Sequence, residues 1–313
     1  MVNTLRTGLA ASAVLASAAC ASIPPADVSS MRFVEAGGVH THVQQWGLKE
    51  GEKGEPILLI HGASSDLGVW EPTIVPRLEG RFQLSAYDRP GMGYTAQRPA
   101  DANTLAEQAR VAAGVIDQLH LKKPIVVAHS WGGAVALRLA LDYPDKVGGL
   151  ILIAPVAYEW PGGVSWHLYW SSNPVVGGLF NNVLVPPFSA AAIKSGVAGA
   201  FAPSLVPENY LETAGSARAV RPAALRANSL DMISAKREII AQQSRYPEIK
   251  IPVALMTGDS DSVVSPSIHS VQLAQTLPNA RIDVLQGVGH LPHEASPERF
   301  EKLLEWVRAE MKR

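Results

Sequence analysis

The stretch Ile125-Val126-Val127-Ala128-His129-Ser130-Trp131-Gly132-Gly133 joins two runs of different character. Residues 125–128 are apolar and rich in β-branched side chains, short enough for a buried strand. Residues 131–143 turn Ala- and Leu-rich and stop before Pro144, as a helix does. The bend between them falls at Ser130, with a small residue two places to either side, Ala128 and Gly132. Bulk at either place would collide with neighbouring backbone. A strand that becomes a helix within a residue or two strains the residue at the bend, by ~1–3 kcal/mol. It also lifts that side chain clear of the sheet, in front of the free N–H groups and positive dipole end of the helix. A Ser in this place is a candidate nucleophile. The same hexamer, taken alone, also suits a Ser that caps a helix.

The pattern repeats outward from there. Residues 31–35 and 39–46 lean toward strand and flank Gly37-Gly38, a hairpin signal. Short apolar runs at 57–60, 82–87 and 150–153 read as buried strands. Residues 104–120 carry Leu105, Ala109, Ala112, Ile116 and Leu119 at helical spacing. After Pro155 the alternation lapses: residues 157–245 hold helical patches and turn signals but no clear strand. It resumes with a strand at 251–257, a helix at 267–277, a strand at 281–285 and a helix at 297–312. Phe300, Leu303, Leu304, Val307 and Met311 mark one face of that last helix. Alternating strands and helices predict an α/β fold, a mostly parallel sheet with helices on both faces. Residues 31–156 and 246–313 form its core, and 157–245 a helical cap inserted over the carboxyl ends of the strands, where ligands bind in such sheets.

With these segments in order, the sequence resembles the α/β-hydrolase family, in its serine-hydrolase branch with a cap insertion. The resemblance covers residues 31–155 and 246–313; Ala128 stands where the family more often has Gly. It implies Ser130 as nucleophile. His61-Gly62-Ala63-Ser64, after the strand at 57–60, resembles the loop that supplies an oxyanion donor, here the N–H of Ala63. The N–H of Trp131 would be the second donor. Asp88-Arg89-Pro90-Gly91-Met92-Gly93 resembles a turn in which Asp88 and Arg89 fix the loop. Gly258-Asp259-Ser260-Asp261 resembles the turn that carries the triad acid, which selects Asp261 with Asp259 as competitor. Gly289-His290-Leu291-Pro292-His293-Glu294 resembles the segment before the last helix. It makes His290 the catalytic base and leaves His293 as runner-up. The chain order is then Ser130, Asp261, His290. Relatives that act on haloalkanes or epoxides carry Asp at the bend, so Ser130 argues against both chemistries.

Composition narrows the partners. Lys and Arg number 27 against 28 Asp and Glu, a net charge of −1, which leaves no basic surplus for nucleic acid. The single cysteine, Cys20, excludes an internal disulfide framework and a Cys-based zinc site. No metal or cofactor motif appears.

Residues 1–20 read as an export signal: Arg6, then a small-residue apolar run at 8–19, too short to span a bilayer. Leu15-Ala16-Ser17-Ala18-Ala19-Cys20 resembles a bacterial lipoprotein signal, with Cys20 as the lipidated residue and 21–30 as tether. Ser17 departs from that pattern, so ordinary signal-peptidase cleavage stays open. The expected location is the bacterial cell envelope or periplasm, with membrane attachment through Cys20.

Tyr158, Trp160, Trp166, Tyr169, Trp170, Phe180 and Phe188 crowd the start of the cap. They suit both its own packing and a lid over an apolar acyl pocket. The expectation is a serine hydrolase that cleaves carboxylic esters of modest-sized apolar substrates. A C–C bond hydrolase, a proline-type aminopeptidase, a lactonase or a cofactor-free peroxidase would share the scaffold. A non-enzymatic binding protein would be expected to have lost a triad member.

Overall fold

The computed structural model describes residues 28–47, 54–95, 98 and 102–313. The export signal, Cys20 and most of the tether lie outside the described residues. Eight strands form one sheet: β1 Arg32–Ala36, β2 Val39–Trp46, β3 Pro56–Ile60, β4 Gln83–Tyr87, β5 Ile125–His129, β6 Gly149–Ile153, β7 Val253–Gly258 and β8 Ala280–Leu285. Their order across the sheet is β1-β2-β4-β3-β5-β6-β7-β8. β1 and β2 are the expected Gly-Gly hairpin, β2 runs antiparallel to β4, and every later pair is parallel. β7 begins at Val253, two residues after the sequence reading starts it, because Pro252 has no N–H to give a ladder.

Each inner strand is apolar on both faces, as a parallel sheet covered on both sides requires. Leu58, Ile60, Val126, Ala128, Leu150 and Leu152 join one core cluster, which takes in helices Leu105–Gln118 and Trp131–Asp142. Their alternate neighbours Ile57, Leu59, Ile125, Val127, Ile151 and Ile153 join the other, against helix Pro297–Glu310. A fully buried Val, Leu or Ile side chain contributes about 1.5–3 kcal/mol, so these two layers dominate the stability of the sheet.

The topology gathers six chain exits at one end. The residues that follow β3, β4, β5, β6, β7 and β8 all leave the carboxyl edge of the sheet, and β3 lies between β4 and β5, where the direction of strand addition switches. Between β6 and β7 the chain is helical, with Trp166–Ser172, Ser189–Phe201 and the long Pro222–Gln243 as its main elements.

Candidate active site

Ser130 occupies the bend with φ 53° and ψ −120°, a conformation that L side chains rarely adopt. Neighbouring backbone fixes it there. Its N–H donates to the Ile153 carbonyl at 2.9 Å, and its own carbonyl accepts from Gly133 at 2.9 Å and Val156 at 3.1 Å. Gly132 is the residue that lets the helix start so close to the sheet. A Cβ there would lie 2.5 Å from the Ile60 carbonyl oxygen and 2.6 Å from that of His61. Trp131, the first residue of the helix, has an N–H with no intrahelical acceptor and so free for an oxyanion.

His290 and Asp261 meet on the loops after β8 and β7. His290 Nδ1 lies 2.7 Å from Asp261 Oδ2, with both side chains buried. The other carboxylate oxygen of Asp261 accepts from the N–H groups of Val263 at 2.8 Å and Val264 at 2.9 Å. Three donors thus hold this carboxylate, and Nδ1–H points at it, which leaves Nε2 as the basic nitrogen. Asp259 does different work: its Oδ1 accepts from Gly287 N–H at 2.7 Å and from the Ser260 hydroxyl at 3.0 Å, a turn contact on the exposed side. The backbone of His290 is clamped as well. Its N–H donates to the Ala200 carbonyl at 2.9 Å, and its carbonyl accepts from His129 Nε2 at 3.0 Å.

The loop after β3 lies directly against the bend. A Cβ on Gly62 would be 3.0 Å from His129 Nδ1 and 3.1 Å from Ser130 Cβ. This contact brings the backbone of Ala63 beside Ser130. Ser64, at φ 50°, turns the loop away, and its N–H donates to Asn228 Oδ1 at 2.8 Å. Arg89 fixes the other side: Nε donates to the His61 carbonyl at 3.1 Å and Nη2 to the Gly62 carbonyl at 2.9 Å. Its charge is matched by Asp231, 2.8 Å away and equally buried, which also takes Arg98 at 2.7 Å. Asp88 has a parallel task, accepting from the Leu67 and Tyr94 N–H groups and contacting His42 Nδ1 at 2.7 Å.

The histidines divide by environment. Burial, reinforced by the Arg89 charge, holds His61 down to about 3. It is neutral, with Nε2 accepting from the Arg89 N–H at 3.0 Å. Burial, together with His290 and His293, likewise keeps His129 well below the ordinary imidazole range. His293, the runner-up of the sequence reading, is fully buried and held to about 3 by burial, with His290 adding to the effect. Its Nε2 lies 3.5 Å from Glu294 Oε1, away from the cavity. Glu294 is pushed up to about 7 by burial, against the hydrogen bond it accepts from the Thr73 hydroxyl at 2.5 Å.

Ala63, Ser130 and His290 open together onto a cavity of about 500 Å³, and most of the wall is apolar. Ala192, Ile193, Gly196 and Val197 from helix Ser189–Phe201 line one side, with His167 nearby. Sequence reasoning did not find Asp231, Asn228 or His167. Arg89 reads from sequence only as loop-fixing, and nothing in the sequence marks which of the acids between 157 and 245 faces it.

Residues 55–297 match the family defined by the α/β hydrolase fold, and the chain belongs to that family. It is 27% identical over 299 residues to 2-hydroxymuconate semialdehyde hydrolase of Pseudomonas putida, with 89% of this chain and 94% of that protein covered. It is also 27% identical over 260 residues to haloalkane dehalogenase 2 of Mycobacterium tuberculosis, covering 79% and 85%. An esterase from Exiguobacterium antarcticum shares the fold with a TM-score of 0.68 at 19% identity, over 88% of this chain and 98% of that one.

Proposed function

We propose that the protein is a serine hydrolase that cleaves carboxylic esters of modest-sized apolar substrates through an acyl-enzyme. The observation that carries this reading is the strained Ser130 opening, with the Asp261-bound His290, onto one apolar cavity. Ser130 Oγ attacks the ester carbonyl carbon while His290 Nε2 takes its proton. The N–H groups of Ala63 and Trp131 receive the oxyanion. His290 then protonates the departing alcohol, and a water that it deprotonates releases the acid. Asp261 holds the tautomer and stabilises the imidazolium. No step requires a metal or cofactor.

Labelling with a fluorophosphonate, followed by mapping of the adduct, is expected to modify Ser130 alone. A series of p-nitrophenyl esters from acetyl to long acyl is expected to show turnover at short and medium lengths. An unlabelled Ser130, or no cleavage at any length, would overturn the reading.

The likeness to a 2-hydroxymuconate semialdehyde hydrolase favours one second reading, hydrolysis of a C–C bond beside a carbonyl. The same three side chains would serve, with the leaving group departing as carbon. Turnover of a vinylogous 1,5-diketone, with esters left intact, would select it. The apolar run at 8–19 and Cys20 support an exported, lipid-anchored location. Metabolic labelling with a fatty acid tests that point.

A further inference from the structure

The outer wall of the cavity is unlike the rest of the surface. No Asp, Glu or Arg stands between Glu159 and Glu208, and Lys194 is the one Lys there. Trp166, Tyr169, Trp170, Leu179 and Phe188 are each more than half exposed, Phe188 at 71%. Among the described residues, the large exposed apolar side chains outside 166–205 are only Val28, Ile240 and Val263. Large apolar patches left exposed on a soluble protein mark interaction or membrane sites.

We infer that this face, residues 166–205, docks on the surface of a phospholipid bilayer, with the mouth of the cavity toward the lipid. Three observations select lipid over a second protein. First, exposed Trp and Tyr beside aliphatic side chains is the composition of the membrane–water boundary. A second copy of this face would offer no opposite charge to set its register. Second, the stretches Gly177–Leu184 and Pro186–Phe201 are together apolar enough for a spanning segment but bend by 43°. No single helix among the described residues is long and apolar enough to cross a membrane. The pair therefore suits an element lying in the interface, where such faces sink about 5–10 Å. Third, the chain enters the fold at the cavity end. Arg32 pairs with Val43, and Val43 with Tyr87, the last residue of β4. Val28 to Met31 form a turn, with the Met31 N–H donating to the Val28 carbonyl at 3.1 Å, and the seven residues 21–27, at no more than about 3.3–3.6 Å per residue, let Cys20 reach up to about 25 Å from it. An acyl chain on Cys20 and the apolar face can then engage one bilayer, the two signals that stable attachment needs.

Helix Ser189–Phe201 forms part of this wall. Ala192, Ile193, Gly196 and Val197 line the cavity, while Gly199, outside that lining, would carry a Cβ into open space. A substrate acyl chain leaving the bilayer would enter past this helix. The docking surface rests on the hydrolase reading only for that direction of substrate entry.

The test uses the full chain carrying Cys20→Ser, which cannot be lipidated, and vesicles of phosphatidylethanolamine and phosphatidylglycerol. The parent is expected to float with the vesicles. Trp166→Glu and Phe188→Glu, both outside the cavity lining, are each expected to cut partitioning by about tenfold or more. Hydrolysis of p-nitrophenyl acetate and the thermal melt should stay at parent values. Flotation needs no turnover, so loss of the hydrolase reading would leave this result legible. Equal flotation of parent and variants would place the affinity in residues 8–19 and overturn the proposal. So would no flotation at all, or a dimer that the same variants convert to monomer.

Discussion

Arg89 and Asp231 form an ion pair at 2.8 Å with both side chains fully buried, one after β4 and the other on helix Pro222–Gln243. Together with the bond from the Ser64 N–H to Asn228, this contact ties the long helix to the carboxyl end of the sheet. The same guanidinium holds the carbonyls of His61 and Gly62, so the position of Ala63 depends on a residue far away in sequence.

Removing the carboxylate leaves that charge stranded. Asp231→Ala is expected to destabilise the protein by about 3–5 kcal/mol, the usual cost of breaking a buried pair from one side. Arg98 loses its carboxylate too and keeps the Pro90 carbonyl at 3.1 Å. Urea unfolding followed by Trp fluorescence gives the value. A loss under about 1 kcal/mol would mean that Arg89 finds water or Gln108 sufficient.

The two acids of the β7 loop separate cleanly by their contacts. Asp261→Asn keeps the shape but can no longer hold His290 in the tautomer with Nδ1–H, so turnover of p-nitrophenyl acetate is expected to fall by roughly three to four orders of magnitude. Asp259→Asn keeps an acceptor oxygen for the turn contact to Gly287, touches nothing of His290, and is expected to stay within about threefold of the parent. Equal losses in both would show that the loop, not the imidazole contact, matters.

Local signals explain how much of this was legible beforehand. Ser130 and Gly132 were readable because one tight bend demands both a strand before and a helix after, within nine consecutive residues. The alternating apolar runs gave the sheet, since each inner strand must be apolar on both faces. The family resemblance pointed to Asp261 over Asp259, but only the structure shows which carboxylate reaches His290, because both fit the turn. The cap was legible as helical and no further. Asp231 and Asn228 lie on a helix whose outward spacing resembles any solvated face, and their meaning comes from Arg89 and Ser64, which fold places beside them.

Gly132 marks how close the helix and β3 must approach. In Gly132→Ala the new methyl would meet the Ile60 carbonyl at 2.5 Å, so the helix has to move outward. The Trp131 N–H moves with it, away from the developing oxyanion. Misplacement on the order of 1 Å costs about a hundredfold in turnover. The strain lowers stability by roughly 1–3 kcal/mol. The expected signature is a fall in kcat for p-nitrophenyl esters at a nearly unchanged KM, with the protein still folded by circular dichroism. Unchanged kcat would show that the second oxyanion donor is not Trp131.

Glu294 gives a pH signature with a definite sign. Its carboxyl, ordinarily near 4.5, is raised to about 7 by burial. Between those values the unfolded chain has released the proton and the folded chain has kept it. Folding then takes up a proton, so this group's contribution to stability falls as pH rises from 4.5 and levels off above 7. The full effect is at most about 3 kcal/mol. Buried His61 and His293, held near 3, act in the opposite sense, since below their ordinary value of 6.5 the unfolded chain binds protons that the folded one refuses. The parent profile is therefore a sum of opposed slopes, and the difference between parent and Glu294→Gln isolates the carboxyl. That variant keeps the shape and an acceptor for Thr73 but cannot ionise. It is expected to match the parent near pH 4.5 and to be more stable by up to about 3 kcal/mol above pH 7. Urea unfolding across this range measures the difference. A difference independent of pH would mean that Glu294 ionises in the folded protein as it does in water.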